Sequence, residues 1–517
     1  MTRSKRFLSG LATSYAAIGV NMIHTLASVP LALHYLTKEE FGLWALISQL
    51  SGYLMLLEFG MTGSVARFLT DHKDDINGGS YGNILRTGSR VFAIQGLLVI
   101  VAGAAIAWGA TGMLDLPAGL SGIFSILFFI QSLLCGLKLA SGTLTSPLWS
   151  HQRIDISNFS SCLSLVVNFA VLWLGFHLGW RLQAMSAAAA AGFAVGLVFC
   201  YLSCRKLALY PASHARGRFD RQLFREMTGF GGGIFLLNIG AQLASASQII
   251  IASRLLGLEG ASVWAIATKI STLAQQFVGK ILESSAGGLA EMVARGEHER
   301  LLQRFRDIVI LSATVAITAA AGIALMNQPF IEVWTDGRIT WPVVNNLLLA
   351  AVVLVTSIVK CHIGLVGITK SIGGMKYVHL AEGVCFVGLA LVLVPRYDLS
   401  GMLIATLCCN LCITGIYSVW RSARYFHLGV GRVSAWVGRP AAAFAVVCLL
   451  FLLFLQPDVA GQESPHRLIL AGLLFALVFL PTLWWFGIAR AIRREIIALG
   501  TAMLGKVFSG LSRRHAK

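Results

Sequence analysis

The chain has 517 residues, of which 56% are hydrophobic and only 12% charged, with a formal net charge of +18. Water-soluble domains carry about 25% charged residues, so this composition excludes a soluble globule and points to an all-α polytopic membrane protein. The excess of Lys and Arg would suggest nucleic acid in a soluble chain. In a membrane protein it marks loops retained in the cytoplasm, and no nucleic-acid partner is expected.

The N-terminus (MTRSKRFLSGLATSYAAIGVNMIHTLASVPLALHYL) starts basic, as a signal peptide does. Its apolar part is too long for one and runs on to Tyr35 with no cleavage region, so it reads as an uncleaved first spanning helix. Further apolar runs fall at 41–69, 84–110, 119–146, 159–180, 182–204, 226–256, 261–287, 305–327, 342–367, 376–395, 399–423, 437–456 and 467–489. A crossing takes about 20 apolar residues, which gives about fourteen spans. Alternate connections are basic, for example Arg205, Lys206, Arg216, Arg218, Arg221 and Arg225 together. The others hold one cation each: Lys38, Arg181, Arg254, Arg338, Arg396 and Arg467. This asymmetry predicts an inner-membrane protein with both termini in the cytoplasm.

The longest basic connection follows the sixth span and contains Pro211. It divides the chain into a six-helix lobe (1–210), a cytoplasmic linker (211–225), a second six-helix lobe (226–430), two further spans (431–489) and a basic amphipathic tail (490–517) suited to the anionic inner leaflet. An internal repeat supports the duplication. Leu36, Trp44, Ala45, Leu46 and Ser51 return as Leu256, Trp264, Ala265, Ile266 and Ser271, 220 positions on (264 − 44) and without a gap.

Polar residues inside the spans mark the candidate transport site. Asn21, His24, Thr25 and Ser28 share one helical face of the first span. Trp44, Ser51 and Glu58 repeat at seven in the second, and Asn238, Gln242 and Ser245 at four and three in the seventh. In the eighth, Lys269, Gln276, Lys280 and Glu283 form a stripe; Lys138, Lys360 and Glu382 add charge elsewhere. Lys280 and Glu283 are spaced as a self-neutralising pair. Lys138 and Lys360 lie near span ends, where a lysine can snorkel. Four lysines facing lipid would nevertheless cost about 10–14 kcal/mol, so some must face a wet cavity, which the positive balance suits to an anionic substrate.

Other chemistry is missing from the sequence. There is no Walker A loop, no metal-ligand spacing of His and Cys and no GxSxG elbow. The ten cysteines include no CxxC and read as small apolar residues. The far-side loops are too short for a catalytic domain, so an enzyme is not expected.

The segment FGLWALISQLSGYLMLLEFGMTGSVARFL, preceded by LTKEE, resembles the first-to-second helix region of Wzx-type polysaccharide flippases. These belong to the multidrug/oligosaccharidyl-lipid/polysaccharide (MOP) exporter superfamily. The matching positions are Gly42, Trp44, Glu58, Phe59, Gly60, Arg67 and Phe68. The resemblance implies a MATE-like fold and alternating-access flipping of an undecaprenyl-diphosphate-linked oligosaccharide to the outer leaflet. It implies no cofactor, and leaves coupling to protons, sodium or the membrane potential open. Expected partners are that substrate, membrane lipid, and a polysaccharide polymerase with its chain-length regulator. On this reading Lys269 and Lys280, with Lys138 or Lys360, attract the diphosphate. Asn21, His24, Asn238, Gln242 and Gln276 face sugar hydroxyls, and Glu58, Glu283 and Arg67 complete the candidate site. A cation-coupled drug exporter of the same fold is the alternative, predicting an acidic or aromatic cavity. A membrane polysaccharide polymerase or ligase is a remoter one.

Overall fold

The computed structural model describes residues 3–109, 116–369, 373–438, 441–442, 445, 465–482, 484–485 and 493. Among them there are helices and connections but no strand. Ten helical stretches are long and apolar enough to cross a membrane. Two of these, Phe235–Val293 (59 residues) and Met375–Tyr425 (51 residues), are too long for one crossing. The backbone leaves helical geometry in the first at Gly257 (φ 75°, ψ 179°) and in the second at Tyr397–Asp398 (φ 49° at Asp398). Counting each as two, the described residues hold twelve crossings, broken where the hydropathy of the sequence changes. Pro465–Thr482 adds a helix within the fourteenth apolar run. The thirteenth run and the basic tail lie largely outside the described residues.

By packing, the chain forms two units: Met1–Lys269 with Trp334–Asn345 and Gly373–Thr414, and Ile270–Val333 with Asn346–Ile372 and Gly415–Lys517. In the first unit α1 spans Arg3–Tyr35 and α2 spans Lys38–Leu54. The polar break between them is a capping box. Thr37 Oγ1 accepts from the Glu40 backbone N–H at 3.2 Å, while Glu40 Oε2 accepts from the Thr37 N–H at 2.9 Å. Glu40 also takes Arg181 in a bidentate pair at 2.7–3.1 Å. That pair ties the start of α2 to the start of α8 (Leu182–Lys206).

Beyond α2 the chain makes a short 3₁₀ turn, Met55–Glu58, and then two left-handed residues, Phe59 (φ 52°) and Gly60 (φ 72°), before α3 (Met61–Asp71). A Cβ on Gly60 would lie 2.4 Å from the Gly231 carbonyl oxygen. The Leu-Glu-Phe-Gly sequence is therefore a helix break pressed against α9 (Arg221–Ser245), and Ser64 Oγ donates to the Met227 carbonyl at 2.8 Å across the same contact.

The helices α4 (Ser80–Gly109), α5 (Ala118–Ala140), α6 (Gly142–Ser150) and α7 (Ile154–His177) complete the first half of this unit. The connection from Cys204 to Asp220 is strapped down. Tyr210 Oη donates to the Leu144 carbonyl at 2.7 Å, and the Arg218 and Asp220 N–H groups donate to Asn83 and Thr87 at 2.7 and 3.1 Å. Asp220 then caps α9, which starts ahead of the expected Glu226.

The repeat meets itself. α10 (Ser247–Ala267) packs along α2, and a Cβ on Gly42 would lie 1.9 Å from the Leu258 carbonyl oxygen. The repeated Trp264, Ser51 and Ser271 are all buried. α14 (Met375–Cys409) packs on α9.

In the second unit, α11 (Lys269–Arg295), α12 (His298–Trp334), α13 (Val343–Ile368) and α15 (Ile416–Tyr425) carry the described core. Phe305, Val309, Cys361, Leu365, Ala423 and Trp436 pack together there.

Pro30 lies inside α1 and lacks the N–H that would bond the Leu26 carbonyl. The Trp334 indole supplies the missing donor at 2.9 Å, and Arg338 donates to the Leu33 carbonyl in the last turn. Removing the indole N–H leaves a carbonyl unsatisfied, so Trp334→Phe is expected to lower stability by about 1–3 kcal/mol. Pro30→Ala restores the helical donor, so the same Trp334→Phe change should cost less in that background. Thermal unfolding of the four purified proteins checks this; equal losses in both backgrounds would refute it.

Candidate functional site

The expected polar residues fall into separate groups. On α1, His24 Nε2 lies 2.9 Å from Asn168 Oδ1, with the Phe169 ring edge-on to the imidazole. Lys269 is exposed at the start of α11. No ion pair or hydrogen bond among the described residues involves the Lys269 side chain.

One turn below His24, Asn21 lines an open cleft of about 650 Å³ between α1, α5, α6, α7 and α8. Lys138, from the last turn of α5, lines the same cleft and has no carboxylate partner among the described residues. Asn21 and Lys138 are thus brought together within one unit.

Other expected residues are already occupied. Gln242 Nε2 donates to the Gly52 carbonyl at 2.9 Å, so it ties α9 to α2. Lys280 pairs with Glu283 at 2.7 Å, and Lys360 Nζ donates to Gln275 Oε1 at 3.2 Å. Arg67 meets Asp71 at 3.4 Å on an exposed helical surface. Asn238 and Gln276 are exposed. Glu58 is half-buried at the end of the 3₁₀ turn, and its backbone carbonyl accepts from Gln95 Nε2 at 2.9 Å.

Two features were missed by reading charge and spacing alone. Gln131 lines the Asn21–Lys138 cleft with a buried Oε1 that has no partner. It is the lone amide in an apolar stretch, a signal present in the sequence. The second is Glu382, which the sequence marks only as a charge. It is buried on α14, accepts from Asn410 Nδ2 at 3.0 Å and from Thr414 Oγ1, and has His379 Nδ1 3.6 Å away. Asn410 and Thr414 sit in a π-helical segment, Asn410–Gly415. A local i→i+5 segment of this kind has no simple sequence signal. No group of three or more His, Cys, Asp or Glu that could hold a metal occurs among the described residues.

The fold and these intramembrane groups define a helical, multi-pass membrane protein. An inward-facing multidrug-resistance MATE transporter of the MOP superfamily superposes with a TM-score of 0.66, at 11% identity over 84% of this chain and 96% of that one. A MOP transporter from Pyrococcus furiosus, described as having a binding pocket of reverse polarity, gives 0.64 at 12% identity over 84% and 96%. The lipid II flippase MurJ in an inward closed conformation gives 0.61 at 12% identity over 90% and 99%. Identities this low establish the fold alone. No curated protein matches the chain by sequence. The model of the polysaccharide biosynthesis protein family matches residues 9–286, more than half of the chain, and the protein belongs to this family.

Glu382 yields a direct test of intramembrane satisfaction. Glu382→Ala strands the Asn410 amide and the Thr414 hydroxyl and is expected to cost about 1.5–3 kcal/mol, the range for hydrogen bonds to a charged group. Glu382→Gln keeps the volume and an acceptor and should cost less than half as much. Melting curves of the purified variants rank the three; an alanine variant as stable as the parent would contradict the assignment.

Proposed function

We propose that the protein flips an undecaprenyl-diphosphate-linked oligosaccharide from the cytoplasmic to the periplasmic leaflet of the bacterial inner membrane by alternating access. The observation that carries this reading is cationic. Lys138 and Lys269 lie within spanning segments and have no carboxylate partner among the described residues, and Lys138 lines one cleft with Asn21 and Gln131. An intramembrane charge without a partner is costly unless a ligand or water meets it, and a diphosphate is the anion that a polysaccharide-family substrate supplies. The basic alternate loops favour cytoplasmic termini. An inside-negative membrane favours outward movement of negative charge, by about 2.3 kcal/mol per charge and 100 mV. Drug export through the same fold predicts an acidic or aromatic cavity, and unpaired lysines weigh against it.

The pairing of Lys280 with Glu283 shifts the weight within the lysine stripe to Lys269. Losing a charge-assisted contact to diphosphate is worth about 1.5–3 kcal/mol, roughly ten- to a hundredfold. Lys269→Met is therefore expected to reduce surface polysaccharide at least tenfold, and Lys280→Met much less. Full export by the Lys269→Met, Lys280→Met double variant would sink the charge argument. Gene deletion with lipid extraction tests the function itself: undecaprenyl-linked oligosaccharide should accumulate on the cytoplasmic face, and its absence would remove the reading.

A further inference from the structure

The cleft in the first unit offers more than a place for Asn21 and Lys138. Its volume, about 650 Å³, falls in the range of small-ligand sites. Its walls are firm. A Cβ on Gly196 would lie 2.3 Å from Ser164 Oγ, and one on Gly192 2.8 Å from the Ser164 carbonyl, so α7 and α8 are in close contact behind it.

Several of the hydroxyls that line it have already spent their hydrogens. Ser160 Oγ donates to the Gly196 carbonyl at 3.0 Å, Ser161 Oγ to Ser157 at 3.0 Å, and Thr145 Oγ1 to Gly142 at 3.2 Å. What these oxygens retain is the capacity to accept. Gln131 adds a buried Oε1 with no donor. The cleft thus presents the Ser161 and Thr145 acceptors, one ammonium at Lys138 without a carboxylate partner and the Asn21 amide, with Gln131 Oε1 buried in its wall. Its complement carries several hydroxyl donors and an anion next to them. A bare phosphate would meet Lys138 and leave Gln131 unsatisfied, and an organic cation would be repelled by Lys138. A phosphorylated sugar satisfies both.

We propose that this cleft, resting on the flippase reading above, is the subsite for the phosphate-proximal sugar of the lipid-linked substrate. Lys138 meets the diphosphate, and Gln131 Oε1 accepts from a hydroxyl of the first sugar. Gln131 is then a specificity residue, because a substrate lacking that hydroxyl leaves a buried acceptor unpaired.

The test uses the full-length protein reconstituted in lipid nanodiscs, with farnesyl diphosphate and inorganic pyrophosphate as probes, alongside polysaccharide export in cells. Lys138→Met should weaken farnesyl diphosphate binding about tenfold or more, with Lys138→Arg restoring most of it. Gln131→Leu should lower export about tenfold while farnesyl diphosphate, which has no sugar, binds it within about threefold of the parent. Melting temperatures matching the parent exclude misfolding, and rescue by Lys138→Arg keeps the charge argument testable where Lys138→Met folds poorly. Parental binding and export in both Lys138→Met and Gln131→Leu would overturn the subsite. Pyrophosphate binding as tightly as farnesyl diphosphate would overturn the lipid-linked assignment in favour of a soluble diphosphate. If the deletion strain accumulates lipid-linked oligosaccharide yet these variants behave as the parent, the subsite alone fails. If it accumulates none, the flippase reading fails with it.

Discussion

The contact on which the first unit depends is the approach of α2 to α10 at Gly42. A single methyl there would lie 1.9 Å from the Leu258 carbonyl oxygen, so the two helices touch backbone to backbone. Gly257 makes this possible, because its left-handed conformation interrupts the spanning stretch immediately before Leu258. At one end of α2 the capping carboxylate of Glu40 is shared with Arg181. At the other, Phe59 and Gly60 turn the chain against Gly231. Three fixed points along one helix therefore orient α8, α9 and α10. The motif that most resembles the polysaccharide family is, in physical terms, the specification of a strut.

Hydrocarbon enforces the second constraint, since no solvent there corrects an unpaired polar group. Several of the chain's intramembrane groups meet it with a local partner. The carbonyl that Pro30 frees is taken by Trp334, the Glu382 carboxylate is held by Asn410 and Thr414, and Lys280 is neutralised by Glu283. Against that background of pairing, groups without partners carry information. Lys138, Gln131 and Asn21 lie around one cleft. Their lack of protein partners is easier to reconcile with a polar ligand or water than with packing.

Much of the architecture was legible in the sequence because the physics behind it is one-dimensional. Hydropathy located the spans, and the breaks at Gly257 and at Tyr397–Asp398 fall where apolar runs end. The spacing Thr37-x-x-Glu40 is a capping box that can be read directly. The candidate site was legible only as faces. Helical periodicity puts Asn238, Gln242 and Ser245 on one side of a helix, but it cannot say what that side meets. Gln242 meets the Gly52 carbonyl. Neighbours from distant segments decide such roles: Gln275 for Lys360, Asn168 for His24. The π-helical turn at Asn410–Gly415 is invisible to a 3.6-residue period. Gln131 was overlooked because it is neutral, although a lone amide in an apolar helix raises the same question of satisfaction as a charge does.

Glu58 and Lys138 show how position and partner must be weighed together. A cation in the last turn of a helix is stabilised by the helix dipole, and an anion there is disfavoured, each by about 0.3–1 kcal/mol. Lys138 sits at the favourable end of α5, so stability alone accounts for a cation at that place. What points to a ligand is its exposure to the cleft without a carboxylate partner. Glu58 is the opposite case. It lies at the C-terminal end of α2 and its 3₁₀ extension, with no cation paired to its side chain among the described residues. Neither the dipole nor a salt bridge explains a carboxylate there, and the break that follows requires only the backbone and Gly60. Among the described residues, the glutamate therefore contributes nothing evident to the fold it helps to identify.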